Sequence, residues 1–264
     1  MWIIILFIIY IFLILPNLKR RNELDKYKIN YYHRGCFDNV KIAENSLEAF
    51  DLALKYHTAI ELDVHLSKDH KLIIMHDNNL SRMTKTNLRI KDADYKDIHD
   101  LKLLNTNSKI PLLDDVLKLV DSKVILYIEL KDETKDYKLL VDEVIKLFKN
   151  YNGEFILCSF NPLILSYLRR KYPEYHRGLI IQNYHLKSNM NILLAILLQS
   201  QILNIFARPD LISFKYTDVS YLKAKIYHML NVPLLAWSIK SIDDYHKYQE
   251  LFDGLVIESI KLKN

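Results

Sequence analysis

Short runs rich in β-branched and aromatic residues alternate with segments of helical periodicity along most of this 264-residue chain. The runs predict strands at 29–33, 59–64, 72–76, 124–130, 155–159, 179–182, 211–214, 234–238 and 255–258. Strands that alternate with helices form parallel sheets with the helices packed outside. At this chain length a closed sheet is favoured, so we expect an α/β fold of the TIM type, a (β/α)8 barrel.

The number of strands does not fit a simple barrel, because nine candidates compete for eight positions. The segment between the second and third candidates is also too short for the crossover helix that joins parallel strands. Either these two candidates form a hairpin, or one of them lies outside the barrel. Residues 78–110 are polar with poor periodicity, and we expect a long loop or small insertion there, at one face of the barrel.

Three predicted helices begin with capping signals. Asn45 is the expected N-cap of the first, with Glu48 three positions further on. Asn161 precedes Pro162, which suits the first turn of a helix, and Ser241 is the expected cap of another. These signals place helices directly after predicted strands, as a barrel requires.

The N-terminus differs sharply from the rest of the chain. Residues 2–15 are all apolar or aromatic, and Pro16 and the basic cluster Lys19, Arg20 and Arg21 follow. A cleaved signal peptide carries its positive charge before the apolar run, so we expect a retained membrane anchor. At this length the anchor must thin the bilayer, extend through Leu18 or lie partly in the interface. We predict an anchor or transmembrane segment at 1–18, a basic linker at 19–28 and the barrel domain at 29–264. The positive-inside rule then predicts that the barrel lies on the cytoplasmic face.

A second apolar segment lies at 191–206, which is denser in leucine and isoleucine than a barrel helix requires. It is too short to span a bilayer alone. Either it is an unusually hydrophobic barrel helix, or it forms a patch that rests on the membrane beside the N-terminal anchor.

The formal net charge of +5 comes mainly from lysines spread along the chain. This distribution differs from the dense arginine-rich stripe of a nucleic-acid-binding protein, so we expect no nucleic-acid partner. It suits anionic substrates and anionic lipid surfaces, although a solvated, lysine-rich surface is the commoner explanation of such a composition.

Polar residues stand at the ends of the first four predicted strands, where a barrel places its catalytic groups. They are His33, Arg34, Glu61, Asp63, His76, Glu129 and Lys131. Glu61 and Asp63 lie two residues apart in one strand, so their carboxylates project to the same side and repel each other unless a cation lies between them. The sequence therefore predicts two histidines, three carboxylates and two basic side chains at one mouth of the barrel.

These side chains suit the cleavage of a phosphodiester. Three carboxylates provide much of the oxygen shell of a hard cation such as Mg²⁺ or Ca²⁺ and leave positions open for water and phosphoryl oxygens. Imidazole titrates near neutrality, so a histidine on each side of the scissile bond can remove one proton and deliver another. Arg34 and Lys131 can hold the nonbridging oxygens.

Four motifs, in their order and spacing, resemble the N-terminal half of the glycerophosphodiester phosphodiesterase family. They are His33-Arg34-Gly35, AENSLEAF at 43–50, ELDVHLSKD at 61–69 and His76-Asp77. Downstream, IELK at 128–131, Ser159-Phe160 and Trp237-Ser238 fit its later landmarks. The resemblance extends from residue 29 to the C-terminus. It implies a barrel that hydrolyses glycerophosphodiesters to glycerol 3-phosphate and an alcohol, and some family members also accept lysophospholipids.

The resemblance also implies roles for individual residues. His33 and His76 would be the general base and general acid. Glu61, Asp63 and Glu129 would be the ligands of one divalent cation (Mg²⁺ or Ca²⁺). Arg34 and Lys131 would bind phosphate, and Trp237 would line the pocket. Glu44 either approaches the metal site or stabilises the turn into the next helix, and we favour the turn. His65 lies two residues beyond Asp63 and either faces the same site or is exposed at the surface.

The chain departs from the family pattern at Ala43, Ser67 and His70, which affects turns, and at 254–259, which alters the far rim of the pocket. The leaving alcohol is therefore open. A lysophospholipid at the membrane is the alternative substrate for the same site, and a non-catalytic, membrane-bound barrel is a second alternative, against which the intact set of histidines and carboxylates argues. A zinc amidohydrolase is excluded, because the first strand ends in His-Arg-Gly and not in His-x-His.

Overall fold

Eight parallel strands close into a barrel in the computed structural model, which describes residues 2–131, 136–184 and 190–260. The barrel strands are β1 (Tyr31–Tyr32), β2 (Ala59–Leu66), β4 (Leu126–Leu130), β5 (Phe155–Ser159), β6 (Arg177–Ile181), β7 (Leu211–Lys215), β8 (Leu234–Ile239) and β9 (Gly254–Ile257). Each pairs in parallel with its neighbour, and β1 pairs with both β2 and β9, which closes the sheet. The predicted TIM-type barrel is confirmed.

The remaining described strand, β3 (Leu72–Ile74), lies outside the barrel and pairs antiparallel with the end of β2. Val64 is opposite Ile74, and Leu66 is opposite Leu72. Both alternatives therefore apply, since the second and third strand candidates form a hairpin and the third lies outside the barrel. Because the connection between them has no room for a helix, the chain can only turn back on itself there.

The helices lie outside the sheet, and the apolar faces of most of them form one large core with the strands. The helices are α1 (Trp2–Ile14), α2 (Leu47–Lys55), α3 (Ser81–Thr84), α4 (Tyr95–Ile98), α5 (Leu113–Val120), α6 (Tyr137–Phe148), α7 (Pro162–Lys171), α8 (Ile192–Ser200), α9 (Asn204–Ala207), α10 (Tyr221–Met229) and α11 (Ile242–Tyr248). Asn161 and Ser241 cap α7 and α11 as predicted. The prediction for Asn45 is wrong, since the hydroxyl of Ser46 accepts the capping hydrogen bond from the Ala49 amide.

The segment expected to be a basic linker is folded against the barrel. It contains two 3₁₀ helices, Leu18–Glu23 and Asp25–Tyr27. Leu24 and Tyr27 are buried in a cluster with barrel residues that include Tyr31 and Tyr127. The Tyr27 hydroxyl also donates a hydrogen bond of 2.7 Å to the carbonyl of Phe155. Leu24 and Tyr27 are single apolar residues in a charged segment, so they form no periodic pattern. This explains why the sequence predicted a linker.

The insertion between β3 and α5 has a small apolar core of its own, as a folded insertion at one face of the barrel requires. Leu80, Met83, Ile90 and Ile98 are buried there against Ile73 of β3. The helices α3 and α4 and a 3₁₀ turn supply most of these side chains. This core holds the residues after His76 in a fixed position beside the barrel mouth.

The apolar N-terminal run forms α1, which has 13 residues. A helix of this length extends about 20 Å, and the hydrocarbon core of a bilayer is about 30 Å thick. No helix in the described part of the chain is long and apolar enough to cross a membrane, so the predicted transmembrane anchor at 1–18 is not supported.

Gly254 allows close packing between β9 and the residues before β1. A Cβ atom at this position would lie 2.1 Å from the carbonyl oxygen of Ile29 and 2.7 Å from a methyl group of Leu235. We expect Gly254→Ala to lower the free energy of unfolding by about 1–3 kcal/mol, because the backbone must move to relieve the overlap. Thermal unfolding measures this. Gly153→Ala is the matched control, since the three atoms nearest its added methyl group all belong to the side chain of Tyr151, not to the backbone. Equal losses in both variants would contradict the argument that close packing between β9 and β1 requires glycine at 254.

Candidate active site

Three buried carboxylates converge at the mouth of the barrel. Glu61 and Asp63 lie on the same face of β2, and Asp63 is directly opposite Glu129 of β4 in the parallel register. One oxygen atom from each of the three residues lies within 4.8 Å of the others. The structure thus brings together the three carboxylates that the sequence predicted as metal ligands.

The three carboxyl groups of this cluster have pKa values that are shifted in different directions. Burial, together with the charges of Asp63 and Glu129, raises the pKa of Glu61 well above its usual value. Burial likewise raises the pKa of Glu129. Burial also opposes ionisation of Asp63, but Lys131 and Arg34 outweigh it and hold the pKa of Asp63 well below its usual value. The negative charge of Asp63 is therefore well neutralised by nearby positive charges, whereas the surroundings of Glu61 and Glu129 disfavour their ionised forms.

Lys131 is the principal countercharge within the described cluster. Its ammonium nitrogen lies 2.7 Å from Oδ1 of Asp63 and 2.6 Å from Oε1 of Glu129. A single ammonium neutralises one of three negative charges, and Arg34 divides its charge between Asp63 and Glu44. The residues fit a divalent cation, because oxygen ligands from three buried carboxylates are the donors that hard cations prefer and the added charge would remove the repulsion.

Two neighbouring groups hold the carboxylates in place. The backbone amide of Arg34 donates to Oε2 of Glu61 over 2.8 Å, and the side-chain amide of Asn45 donates to Oδ2 of Asp63, also over 2.8 Å. The turn that presents the Arg34 amide passes through Gly35, whose φ is +81°. A Cβ at Gly35 would lie 2.8 Å from the backbone of Ala49, so only glycine allows this close approach to α2.

His33 is held by a carboxylate that the sequence interpretation did not assign to the site. Its Nδ1 donates to Oε2 of Glu258 over 2.7 Å, and its Nε2 lies 4.0 Å from Glu61. Lys240 pairs with the other oxygen of Glu258 at 2.8 Å. Burial lowers the pKa of His33, and the bond to Glu258 partly offsets this. Burial opposes the charge of Glu258, but His33 and Lys240 outweigh it and lower the pKa of Glu258 to about 2.

His76 has a similar carboxylate partner. Its Nδ1 lies 2.7 Å from Oδ1 of Asp77, and the other oxygen of Asp77 accepts a hydrogen bond from Arg82 of α3. Burial lowers the pKa of His76, and Asp63 opposes the decrease. Arg82 also pairs with Glu44 at 2.6 Å, so the small insertion is tied to the site through two carboxylates.

Glu44 and His65 have supporting positions. Glu44 binds the guanidinium of Arg34 at 2.8 Å and that of Arg82, and it is not part of the carboxylate cluster. Glu44 therefore pairs with two basic side chains, and its predicted role in the turn stays a prediction. His65 is buried, which excludes the surface alternative, and its Nε2 donates to the carbonyl of His76 over 3.2 Å. Burial lowers the pKa of His65 to about 4, so its ring is neutral and supports the backbone of the neighbouring strand end.

These groups open into a cavity of about 850 Å³. At one end it is lined by charged residues, which include His33, Arg34, Glu61, His76, Glu129 and Lys131. At the other end it is lined by apolar residues, which include Phe160, Leu163, Met190, Leu194, Leu198 and Leu203. Trp237 lies in the wall, where its ring meets Phe160 edge to face with 5.4 Å between centroids. The cavity thus has a polar end and an apolar end.

Sequence reasoning missed the functions of Asn45, Asp77, Arg82 and Glu258. Asp77 was visible as the neighbour of His76, but its bond to the ring requires the turn after β3. Glu258 ends the last predicted strand, and closure of the barrel places that strand beside the first, which ends at His33. The position of Glu258 was therefore a usable signal.

Comparison with known proteins shows which family the chain resembles. The model of the glycerophosphoryl diester phosphodiesterase family matches residues 33–251. A glycerophosphodiester phosphodiesterase of Caldanaerobacter subterraneus is 32% identical over 160 residues, which cover 57% of this chain and 65% of that enzyme. Human lysophospholipase D GDPD1 is 30% identical over 138 residues, which cover 47% of this chain and 42% of that protein. The chain thus matches less than two thirds of the length of either relative.

A solved structure shows the same fold. A phosphodiesterase of Oleispira antarctica, determined in complex with its product sn-glycerol-3-phosphate, superposes with a TM-score of 0.74 at 18% identity and covers 87% of this chain and 92% of its own. At this identity the similarity concerns the barrel architecture. Since the family model matches well over half of the sequence, the resemblance inferred from the motifs is confirmed, and the chain belongs to the glycerophosphoryl diester phosphodiesterase family.

Proposed function

We propose that this protein hydrolyses glycerophosphodiesters to glycerol 3-phosphate and an alcohol. The observation that supports this most strongly is the cluster of Glu61, Asp63 and Glu129. Two of its carboxylates, Glu61 and Glu129, line one cavity with two histidines that each have a carboxylate partner. The relative from Caldanaerobacter bears the name of this activity. A phosphodiester needs charge neutralisation and two proton transfers, and the cavity has residues for both.

One divalent cation, Mg²⁺ or Ca²⁺, is the cofactor that we propose for the three carboxylates. When bound, it would polarise the phosphoryl group and neutralise developing negative charge. Arg34 and Lys131 remain charged near neutral pH, since the nearby carboxylates raise the pKa of both against the effect of burial. Both side chains line the cavity, and we propose that they bind the nonbridging oxygens of the substrate.

We propose that His33 is the general base and His76 the general acid. Nδ1 of His33 is engaged by Glu258, which leaves Nε2, on the side of the carboxylate cluster, to take a proton from the attacking water. Nδ1 of His76 faces Asp77, which leaves Nε2 to deliver a proton to the leaving oxygen. The phosphorus–oxygen bond to the alcohol breaks, the water oxygen joins the phosphate, and proton exchange with solvent restores both rings.

Hydrolysis of glycerophosphocholine in ¹⁸O-water tests which bond breaks. We expect the full chain with Mg²⁺ or Ca²⁺ to release unlabelled choline and glycerol 3-phosphate that carries one ¹⁸O atom, as mass spectrometry will show. Release of glycerol and phosphocholine would mean that the other ester bond is cleaved. Absence of any product from several glycerophosphodiesters, with the protein folded and the cation supplied, would contradict the proposal and favour a non-catalytic barrel.

A lysophospholipid is the second candidate substrate, and the apolar end of the cavity favours it. A glycerol phosphate group fills only part of about 850 Å³, and the remaining wall includes Phe160, Leu198 and Leu203. Apolar walls of this kind stabilise alkyl groups by removing them from water. Human GDPD1, which matches part of this chain, bears the name lysophospholipase D. A kcat/KM for lysophosphatidylcholine above that for glycerophosphocholine would select this candidate, and the reverse order would reject it.

Membrane association is a further part of this proposal, since such a substrate resides in membranes. We propose that the apolar helix α1 associates with a bilayer without spanning it. The basic residues Lys19, Arg20 and Arg21 follow that helix, and their attraction to the anionic lipids of the cytoplasmic leaflet favours the cytoplasmic face for the barrel. Accessibility of an introduced cysteine to a membrane-impermeant thiol reagent in intact cells measures the side: protection is expected, and labelling would contradict this orientation.

The pH profile tests the pairing of His33 with Glu258. The carboxylate of Glu258 favours the protonated form of His33 and so raises its pKa against the effect of burial. Glu258→Gln removes that effect, so the pKa of His33 falls and the base stays neutral at lower pH. We expect the acidic limb of kcat/KM to move to a pH lower by about 1 and kcat to fall by up to about 10⁴-fold, because the ring loses its orienting partner.

Glu258→Asp is the control for this substitution, because it keeps a carboxylate beside the ring and should leave the acidic limb nearer its original position. An acidic limb that does not move in Glu258→Gln, or that moves to higher pH, would exclude His33 as the base that this carboxylate controls.

A further inference from the structure

An exposed apolar face extends over α1, α8 and the end of α9. Its most exposed side chains are Trp2, Ile4, Leu6, Ile8, Phe12, Ile192, Leu193, Ile196 and Phe206, each between 49% and 73% exposed. Single exposed apolar residues are common on protein surfaces, but a contiguous patch of this size marks a surface that meets another apolar phase.

Specific contacts join the parts of this face. The Tyr10 hydroxyl donates to the carbonyl of Ser200 at the end of α8, and the side chain of Asn204 donates to the carbonyl of Ile14. The guanidinium of Arg208 donates to the carbonyls of Phe12 and Leu15 and lies 5.0 Å from the centre of the Phe12 ring. The C-terminal part of α1 is therefore held beside α8 and α9, and the preceding turns of α1 expose apolar side chains on all sides.

α8 separates this face from the cavity. Leu194 and Leu198, one helical turn apart, line the apolar end of the cavity, whereas Ile192 and Ile196 point to solvent and do not line it. Leu194 is itself 45% exposed, and so it lies where the cavity opens to the outside. The apolar face and the entrance to the apolar end of the cavity therefore share one helix.

The charges around the face are positive. The sequence has no acidic residue from 2 to 22 or from 190 to 208. Arg169 donates to the carbonyls of Ile205 and Phe206, and its charge contributes, after burial, to lowering the pKa of Arg208. Among the described ion pairs, neither guanidinium has a carboxylate partner. Two guanidinium groups that repel each other beside an apolar surface are stabilised by an added anion.

We propose that this face, α1 with α8 and Phe206, docks on the surface of a bilayer that contains anionic lipid headgroups. The apolar side chains enter the boundary between headgroups and acyl chains, and Arg169 and Arg208 meet the phosphates. Docking places α8 between the bilayer and the cavity, so an acyl chain reaches the apolar end beside Leu194 without crossing water. This extends the proposed membrane association from α1 to the cavity entrance and is independent of the proposed catalysis.

Binding to vesicles tests the proposal without any need for turnover. The full chain is sedimented with phosphatidylcholine vesicles that contain or lack phosphatidylglycerol. We expect stronger binding with the anionic lipid, and we expect the double variant Ile192→Glu, Ile196→Glu to lower the partition coefficient by at least about tenfold, since it removes two apolar side chains and adds two repelled charges. Leu222→Glu on α10, which alters a residue that is 68% exposed, is the matched control and should bind like the wild type.

Three results would overturn the proposal. The first is binding of the double variant within about twofold of the wild type, because then α8 does not touch the bilayer. The second is equal loss of binding in Leu222→Glu, because then the effect is not specific to this face. The third is a lipid-free dimer, detected by light scattering and abolished in the double variant, with no vesicle binding, because then a second copy covers the face. Melting temperatures within about 2 °C of the wild type establish that the variants are folded.

Discussion

His33→Ala and His76→Ala are each expected to lower kcat for glycerophosphocholine by about 10²–10⁴-fold, the usual contribution of one positioned acid or base. The two variants should differ when the leaving group is changed. With a glycerophosphodiester of p-nitrophenol the leaving oxygen needs no proton, so the loss in His76→Ala should shrink by at least about tenfold, whereas the loss in His33→Ala should remain. Steady-state release of p-nitrophenolate measures both.

His246→Ala on α11 is the control for these variants, because His246 is exposed and lies outside the cavity. It should keep the turnover of the wild type. If His33→Ala and not His76→Ala recovers with the better leaving group, the roles of the two histidines are reversed. If neither variant loses more than about tenfold with glycerophosphocholine, acid–base catalysis by this pair is refuted.

Asp63→Asn is expected to abolish turnover, with a loss of about 10³-fold or more, because a bound cation supplies several kcal/mol of transition-state stabilisation. Lys131 forms ion pairs with both Asp63 and Glu129, and the amide leaves that ammonium with Glu129 alone. We therefore expect weaker Mg²⁺ or Ca²⁺ binding by isothermal titration calorimetry as well as the loss of turnover. The calorimetric result does not depend on the choice of substrate.

Asp114→Asn is the matched control, since it makes the same chemical change in an exposed ion pair with Lys118 on α5. Its cation binding and turnover should equal those of the wild type. Unchanged cation affinity in Asp63→Asn would show that the carboxylate cluster is not the cation site, even if turnover is lost.

Much of the fold could be predicted because each barrel strand is a separate apolar run. The predicted strands at 155–159 and 211–214 agree closely with β5 and β7, and the short gap after β2 predicted the hairpin. β1 is shorter than predicted, since it pairs only through Tyr31 and Tyr32. The side chain of Asn30, and not its backbone carbonyl, accepts the hydrogen bond from the Leu255 amide. The pattern of apolar residues in the sequence cannot show that a side chain takes the place of the backbone in this way.

The candidate site could be predicted where its groups lie close together in the sequence. Glu61 and Asp63 share one strand, and their side of the strand follows from their spacing. The contacts that orient them could not be predicted, because they join distant segments: His33 and Glu258 are 225 positions apart, and their contact exists only once the barrel closes. Asn45 was misassigned because the helix begins one residue later than predicted, with Ser46 as its cap. Asn45 lies just before that cap with a φ of +55°, and its side-chain amide donates to Asp63.

The sequence could not show which residues of the apolar segment at 191–206 are buried and which are exposed. The run at 191–206 left two alternatives open, a barrel helix or a surface patch, and α8 combines features of both: Ala195 is buried in the core, and Ile192 and Ile196 are exposed. Hydrophobic density alone could not separate these positions. The exposed residues became identifiable only when the cavity fixed the direction of Leu194 and Leu198.

The most direct test of the central claim is the release of glycerol 3-phosphate from glycerophosphocholine by the full chain before and after removal of divalent cations with EDTA. The proposed function predicts turnover that falls by at least about 10³-fold after chelation and returns when Mg²⁺ or Ca²⁺ is added back. Turnover that survives chelation, with calorimetry confirming that the cation has been removed, would contradict a cation-dependent phosphodiesterase built on Glu61, Asp63 and Glu129.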